Sequence, residues 1–239
     1  MREEDLTPRP PLRRGEGEQT TRLPSPSRWG GVGGGASRPP GSESNPWRRL
    51  SSRPIYANPW IKVREDQVIR PDGNPGIYGV VEFQSWAIGV VPLTEDGDTF
   101  LVGQYRYTLD LYSWEIPEGG GAKTETPLAG AQRELREETG LVASTWTYLG
   151  EAHLSNSATD EVGCVFLAEG LTLGEAEPDG TEDLRLWRLP FAEAVRMALT
   201  GEISDALAVI GLLRADHYLR SGRTWTPIER SFPGLGRRP

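Results

Sequence analysis

The sequence predicts an α+β fold in which a mixed β-sheet carries helices on its faces. Three observations predict it. Short apolar runs separated by Gly- and Asp-rich turns read as hairpin-linked strands. Amphipathic stretches of helical length are few and fall between those runs. One of these stretches is bounded on both sides by helix signals, with Thr126 and Pro127 ahead of it and Gly140 behind it.

Residues 1–50 read as an extension. From Thr7 to Pro46 the chain is rich in Pro, Gly, Ser and Arg, including Gly30-Gly31-Val32-Gly33-Gly34-Gly35, and almost lacks large apolar residues. Such a stretch cannot offset the entropy of ordering and is expected to be disordered. The folded domain is expected over 51–220. Its strands are expected at 77–83, 87–93, 99–106, 112–116, 145–151, 162–168 and 184–189, with Glu95-Asp96-Gly97-Asp98 as a hairpin turn. Helices are expected at 127–139, 191–199 and 204–219. Ser204 is the expected cap of the last helix, with Asp205 in its first turn and Leu207, Ile210, Leu212 and Leu213 on a packed face. Glu118-Gly119-Gly120-Gly121 reads as a flexible loop, since glycines let backbone come close to a ligand. Residues 221–239 are again polar and Pro/Gly-rich and read as a C-terminal tail.

Composition narrows the function. The net charge of −8 lacks the basic footprint that a phosphate backbone requires, so no nucleic-acid partner is expected. It leaves room for a phosphorylated small molecule if a bound cation supplies the positive charge. Cys164 is the single cysteine, which excludes an internal disulfide and argues against a thiolate zinc site. That fits a reducing, cytoplasmic setting. No apolar run reaches the length of a membrane span, and Met1-Arg2-Glu3-Glu4-Asp5 lacks the apolar stretch of a secretory signal.

The stretch from Trp114 to Leu141 carries the chemistry. Within the helix at 127–139, Glu134 is followed by Glu137 at i+3 and Glu138 at i+4, so three carboxylates share one face. Like charges at that spacing repel by roughly 0.2–0.5 kcal/mol per pair. A hard divalent cation converts the repulsion into binding, and Mg²⁺ suits carboxylate oxygens combined with water and substrate phosphates. The alternative is a solvated acidic face with Arg133 paired to Glu137.

Gly119, Glu125 and the run Arg133-Glu134-Leu135-Arg136-Glu137-Glu138-Thr139-Gly140-Leu141 match the Nudix box in residue type and spacing. The chain therefore resembles the Nudix hydrolases over most of 54–219. The resemblance implies a mixed sheet sandwiched by helices in an α/β/α arrangement. It implies Mg²⁺ or Mn²⁺ bound by Glu134, Glu137 and Glu138 together with the carbonyl of Glu118. Arg133 would orient the glutamates. The implied reaction is attack of water on the diphosphate of a nucleoside diphosphate joined to a group X. A homodimer with contacts through the strands at 54–83 is also expected from the resemblance.

The flanks resemble the ADP-ribose and nucleotide-sugar pyrophosphatase branch. Gln104-Tyr105-Arg106 and Trp114-Glu115-Ile116-Pro117 carry that likeness, which makes Arg106 a substrate contact and sets Glu115 near the site. Gly180-Thr181-Glu182-Asp183-Leu184-Arg185 resembles the branch's acidic loop, with Glu182 as late metal ligand, general base, or both. The proline that branch carries near Ser155-Asn156 is missing. Glu161 is a further candidate beside the site. Trp60, Trp86 and Trp114 could stack a base, and Trp114, next to the glycine loop, has the better claim. His153 and His217 are expected as surface or packing residues, and Cys164 as a buried small hydrophobe. The expected activity is Mg²⁺-dependent hydrolysis of a nucleoside-diphosphate sugar, ADP-ribose first. The alternatives are a housecleaning hydrolase of dinucleoside polyphosphates or modified nucleotides, and a ligand sensor without catalysis.

Overall fold

Apolar alternation builds the layers of this protein. The computed structural model describes residues 45–174 and 184–223. Strand β4 (Ser85–Pro92) and strand β9 (Val162–Leu173) run parallel at the centre of a four-stranded sheet, flanked by β7 (Glu118–Ala122) and β8 (Leu141–His153) in the order β7-β4-β9-β8. Trp86, Ile88 and Val90 of β4 join Cys164 and Phe166 of β9 on one face, where Ala131 and Leu135 of helix α1 (Pro127–Thr139) cover them. Val91 of β4 and Val165 and Leu167 of β9 form the opposite face, covered by α2 (Phe191–Thr200) and α3 (Ala206–Arg220). A central strand buried on both faces reads as a continuous apolar run, as β4 and β9 do. The result is the α/β/α layering implied by the resemblance.

A second sheet, β10-β5-β6, combines β10 (Arg185–Pro190), β5 (Asp98–Arg106) and β6 (Leu111–Glu115), all antiparallel. Gly97 supplies the positive φ of the turn into β5, as the Asp-Gly signal predicts. Two strands in the stretch ahead of residue 77 carried no individual bounds from the sequence. They are β1 (Arg48–Ala57) and β2 (Ile61–Ile69), which with β3 (Pro75–Phe83) form a separate antiparallel sheet. All ten residues of β1 are exposed. This weak alternation is what concealed the strand. The third sheet is tied to the domain through the turn at 155–160, where Tyr78 donates to the Ser157 carbonyl at 2.7 Å and the Phe83 N–H donates to Asp160 at 2.8 Å.

Two local expectations are corrected. Residues 118–122 are not a flexible loop but strand β7, paired antiparallel with β4 from Glu118↔Gly89 to Ala122↔Ser85. Glycine runs score poorly as strands because they lack side chains to pack, yet they are admitted where a partner strand supplies the hydrogen bonds. The cap of α3 is Asp205 rather than Ser204, since the Asp205 side chain accepts from the Ala208 N–H at 2.7 Å. Among the described residues, no helix is long and apolar enough to cross a membrane.

Candidate active site

Helix α1 brings the acidic residues to the sheet in a fixed phase. Thr126 caps it by accepting from the Ala129 N–H at 3.2 Å, Pro127 opens it, and Gly140 closes it at φ 68°. Burial of Ala131 and Leu135 sets the rotation, and Glu134, Glu137 and Glu138 then line one cavity of about 670 Å³. Arg133 holds the group together. Its Nη1 donates to Glu134 and Glu137, each at 2.7 Å, and its Nη2 donates to the Gly120 carbonyl at 2.7 Å. Burial works against the Arg133 charge, but Glu134 and Glu137 outweigh it and keep the guanidinium ionised. The helix and β7 are also joined directly, because the Glu118 N–H donates to Glu138 at 2.9 Å.

Gly119 gives the Glu134 carboxylate its place. A Cβ there would lie 2.2 Å from a Glu134 carboxylate oxygen. The glycine therefore lets the carboxylate of Glu134 lie directly against the β7 backbone.

A second cavity of about 930 Å³ adjoins the first, and the two share Trp60, Ser85, Glu118, Gly119 and Gly120. Arg106, Glu115, Glu118, Glu161 and Asp205 supply its charges. Arg106 sits at the end of β5, on the same face as Gln104, and its Nε donates to the two oxygens of Glu115 at 2.9 and 3.0 Å. Its Nη2 reaches both Glu115 and Glu118. Gln104 adds a bond to Glu115 at 3.3 Å. Against the opposing effect of burial, Glu115 and Glu118 hold Arg106 charged. Glu118 is pushed well above the usual carboxylate range, first by burial and then by the charges of Asp205 and Glu115. Glu161 is raised by burial and by Asp160 and Asp205. Its side chain lines this second cavity.

The candidate residues thus divide. Arg133, Glu134, Glu137, Glu138 and Glu118 converge on the first cavity, while Arg106, Glu115 and Glu161 line the second, with Glu118 between them. Trp114 is not brought to either cavity. Along β6 its side chain faces away from Glu115, and its ring sits 5.7 Å from Tyr112 and 5.2 Å from Trp187. Period-two alternation is the reason, because a residue next to Glu115 in a strand points to the opposite face. Trp86 is buried in the core and lines the second cavity, whereas Trp60 lines both cavities and is 72% exposed. Glu182 lies outside the described residues.

Asp205 was read from the sequence only as a residue of the first helical turn. It closes a group with Glu115 and Glu118 in which one oxygen of each lies within 4.8 Å of the others. Its one sequence signal was an acid at a helix start, which capping alone explains. The ligands that the first cavity offers are hard carboxylate oxygens beside the Arg133 guanidinium, a set suited to Mg²⁺ or Mn²⁺. The Gly119 cradle for Glu134 fits such an ion, since it leaves that carboxylate beside the backbone without blocking the cavity.

The fold, the capped glutamate helix and the glycine strand facing it define a class. Residues 84–208 match the NUDIX domain model, and residues 47–81 match a model described as the nucleoside diphosphate sugar hydrolase N-terminal domain. The chain belongs to the Nudix family and is a Nudix pyrophosphohydrolase. It is similar to an ADP-ribose pyrophosphatase of Mycobacterium tuberculosis, 37% identical over 176 residues that cover 72% of this chain and 84% of the relative. An ADP-ribose pyrophosphatase of Bacillus subtilis is 29% identical, with 66% of this chain and 86% of that one covered. Among solved structures, an ADP compounds hydrolase matches the fold with a TM-score of 0.67 at 22% identity, over 74% of this chain and 97% of that one.

Proposed function

We propose that this protein hydrolyses the diphosphate bond of a nucleoside-diphosphate sugar, ADP-ribose first, with Mg²⁺ as the cofactor and Mn²⁺ as a substitute. One observation carries the reading: an acidic cavity suited to cations opens into a larger, partly apolar cavity at Glu118–Gly120. A diphosphate seated at that junction would place one substituent in each direction. Glu134, Glu137 and Glu138, with the Glu118 carbonyl, would hold the divalent ions, and Arg133 keeps the carboxylates in place. The bound ions would supply charge neutralisation of the diphosphate and an activated water. Arg106 would contact the substrate across the junction, and Trp60 offers an exposed aromatic face for a base. The resemblance makes Glu182 a late metal ligand, the general base, or both. The two relatives named ADP-ribose pyrophosphatase support the choice of substrate.

A homodimer is part of the proposal. Leu50, Ile55 and Tyr56 of β1 are exposed apolar residues on a sheet whose outer strand is covered by nothing else among the described residues. A three-stranded sheet needs a covered apolar face for independent stability. A reducing, cytoplasmic setting is consistent with the single buried cysteine.

The test is product release. Purified protein with Mg²⁺ is expected to release AMP from ADP-ribose, or UMP or GMP from the corresponding sugar nucleotides. If ADP-ribose, sugar nucleotides and dinucleotides all survive with Mg²⁺ and with Mn²⁺, the reading is wrong.

A further inference from the structure

The turn from β3 into β4 walls both cavities. Trp60, Gln84 and Ser85 line the first, and Trp60, Phe83 and Ser85 line the second. The β2–β3 ladder ends at the pair Ile61↔Phe83, so Trp60 and Gln84 lie one residue beyond it. Trp60 is 72% exposed, so packing does not fix its ring and its backbone must set where the ring stands. That backbone is pinned at both ends. The Asn58 side chain accepts from the Trp60 N–H at 2.9 Å, and the Trp60 carbonyl accepts from the Gln84 N–H at 2.9 Å. The second pin is only as firm as the turn that carries it. Phe83, the residue before Gln84, is gripped on both sides: its N–H donates to Asp160 Oδ1 at 2.8 Å, and its carbonyl accepts from Lys123 Nζ. Asp160 belongs to the loop between β8 and β9, which meets β3 at three further points. The Tyr78 hydroxyl donates to the Ser157 carbonyl at 2.7 Å, the Val81 N–H to the Ala158 carbonyl at 2.9 Å, and the Asp160 N–H to the Val81 carbonyl at 3.1 Å. Of these four links, only the Asp160 carboxylate is a loop side chain.

We propose that Asp160 is a positioning residue for the nucleoside: it holds the β3–β4 turn through the Phe83 N–H, the turn holds Trp60, and Trp60 stacks the base. The inference rests on the nucleoside-diphosphate-sugar reading and deepens it by naming what keeps the aromatic wall in place. Asp160 itself lines neither cavity. A ring already in place loses less freedom when a ligand binds, so the clamp acts on affinity. Turnover of bound substrate does not depend on it, because the α1 glutamates are held by β7 and by Arg133. Loss of the Asp160 carboxylate leaves the three backbone links to the loop, so the β1–β3 sheet stays docked while the last residue before Gln84 is released.

The experiment is a double-mutant cycle on the wild type, Asp160→Ala, Trp60→Ala and the double variant, with Asp160→Asn as the control. For each, kcat and KM for ADP-ribose are measured with Mg²⁺, and the dissociation constant for ADP-ribose by calorimetry in EDTA. Trp60→Ala is expected to raise KM and Kd on the order of tenfold, the scale of a lost base–aromatic stack. Asp160→Ala is expected to raise both about three- to tenfold and to leave kcat within about twofold. In the Trp60→Ala background it is expected to add less than about twofold, because the clamp then has no ring to place. Asp160→Asn removes the same charge beside Glu161 but keeps an oxygen for the Phe83 N–H, and is expected to bind as the wild type does. Should Asp160→Ala not fold, Lys123→Met releases Phe83 from its other side, and its rise in KM must likewise vanish without Trp60. Additive effects of the two substitutions, a fall in kcat at unchanged KM, an unaffected Asp160→Ala, or an Asp160→Asn as weak as Asp160→Ala overturns the proposal. If no protein cleaves ADP-ribose but the calorimetric cycle shows the expected pattern, the hydrolase reading falls and the positioning role stands. A wild type that neither cleaves nor binds ADP-ribose overturns both.

Discussion

At residue scale, Gly119 and Glu118 carry the most weight. A Cβ at Gly119 would lie 2.2 Å from the Glu134 carboxylate, and that carboxylate cannot move without leaving Arg133, to which it is bonded at 2.7 Å. Gly119→Ala is therefore expected to lower kcat by at least about tenfold while the melting temperature changes little, because the clash falls on a movable side chain rather than on backbone. A loss of folding instead would show that the strand itself depends on the glycine. Glu118 gives a pH dependence. Its carboxyl is raised above the usual range by burial and by Asp205 and Glu115, so the folded state holds the proton more tightly than the unfolded state. Its contribution to stability is present below the ordinary carboxylate pKa and is lost as pH rises through the raised folded value. In EDTA, Glu118→Gln is expected to melt on the order of 2–4 °C above the wild type at pH 8, with the difference vanishing near pH 4. Thermal melts of both proteins across that range check it, and a wild type equally stable at both ends would contradict the assignment. The helix glutamates were legible in the sequence because i+3 and i+4 spacing fixes a shared face. Asp205 was not, because the contact that matters joins residues far apart in sequence and only the fold brings them together.

At element scale, α1 is the part most readable from sequence, since Thr126, Pro127 and Gly140 each leave a chemical signature at a helix end. Thr126→Ala is expected to cost about 1 kcal/mol by removing the bond to the Ala129 N–H, measured by denaturant unfolding. Strand β7 was misread as a loop because its glycines offer no apolar pattern and its pairing with β4 is a long-range fact. Strand β1 was missed for a related reason. It is an edge strand with register shifts between Arg49 and Ser51 and between Pro54 and Tyr56, and such irregularity erases the period of two. Trp114 was placed in the site because it is adjacent in sequence to Glu115, but adjacency within a strand means opposite faces.

At the scale of the whole molecule, the exposed apolar residues of β1 bear on assembly. Light scattering after size exclusion is expected to give twice the chain mass, and Ile55→Glu, a change at a half-exposed β1 position, is expected to shift it toward the monomer. A wild type that runs as a monomer at all concentrations would remove the dimer. The central claim concerns the junction between the two cavities, where α1, β7 and β5 meet. Its most direct test is AMP release from ADP-ribose under saturating Mg²⁺ by the wild type and by Glu138→Gln, a change that keeps the side-chain shape beside the Glu118 N–H and removes its charge. Turnover by the wild type, and a loss of several orders of magnitude in a variant with an unchanged melting temperature, is the result this account expects. Near-normal turnover by Glu138→Gln would contradict it.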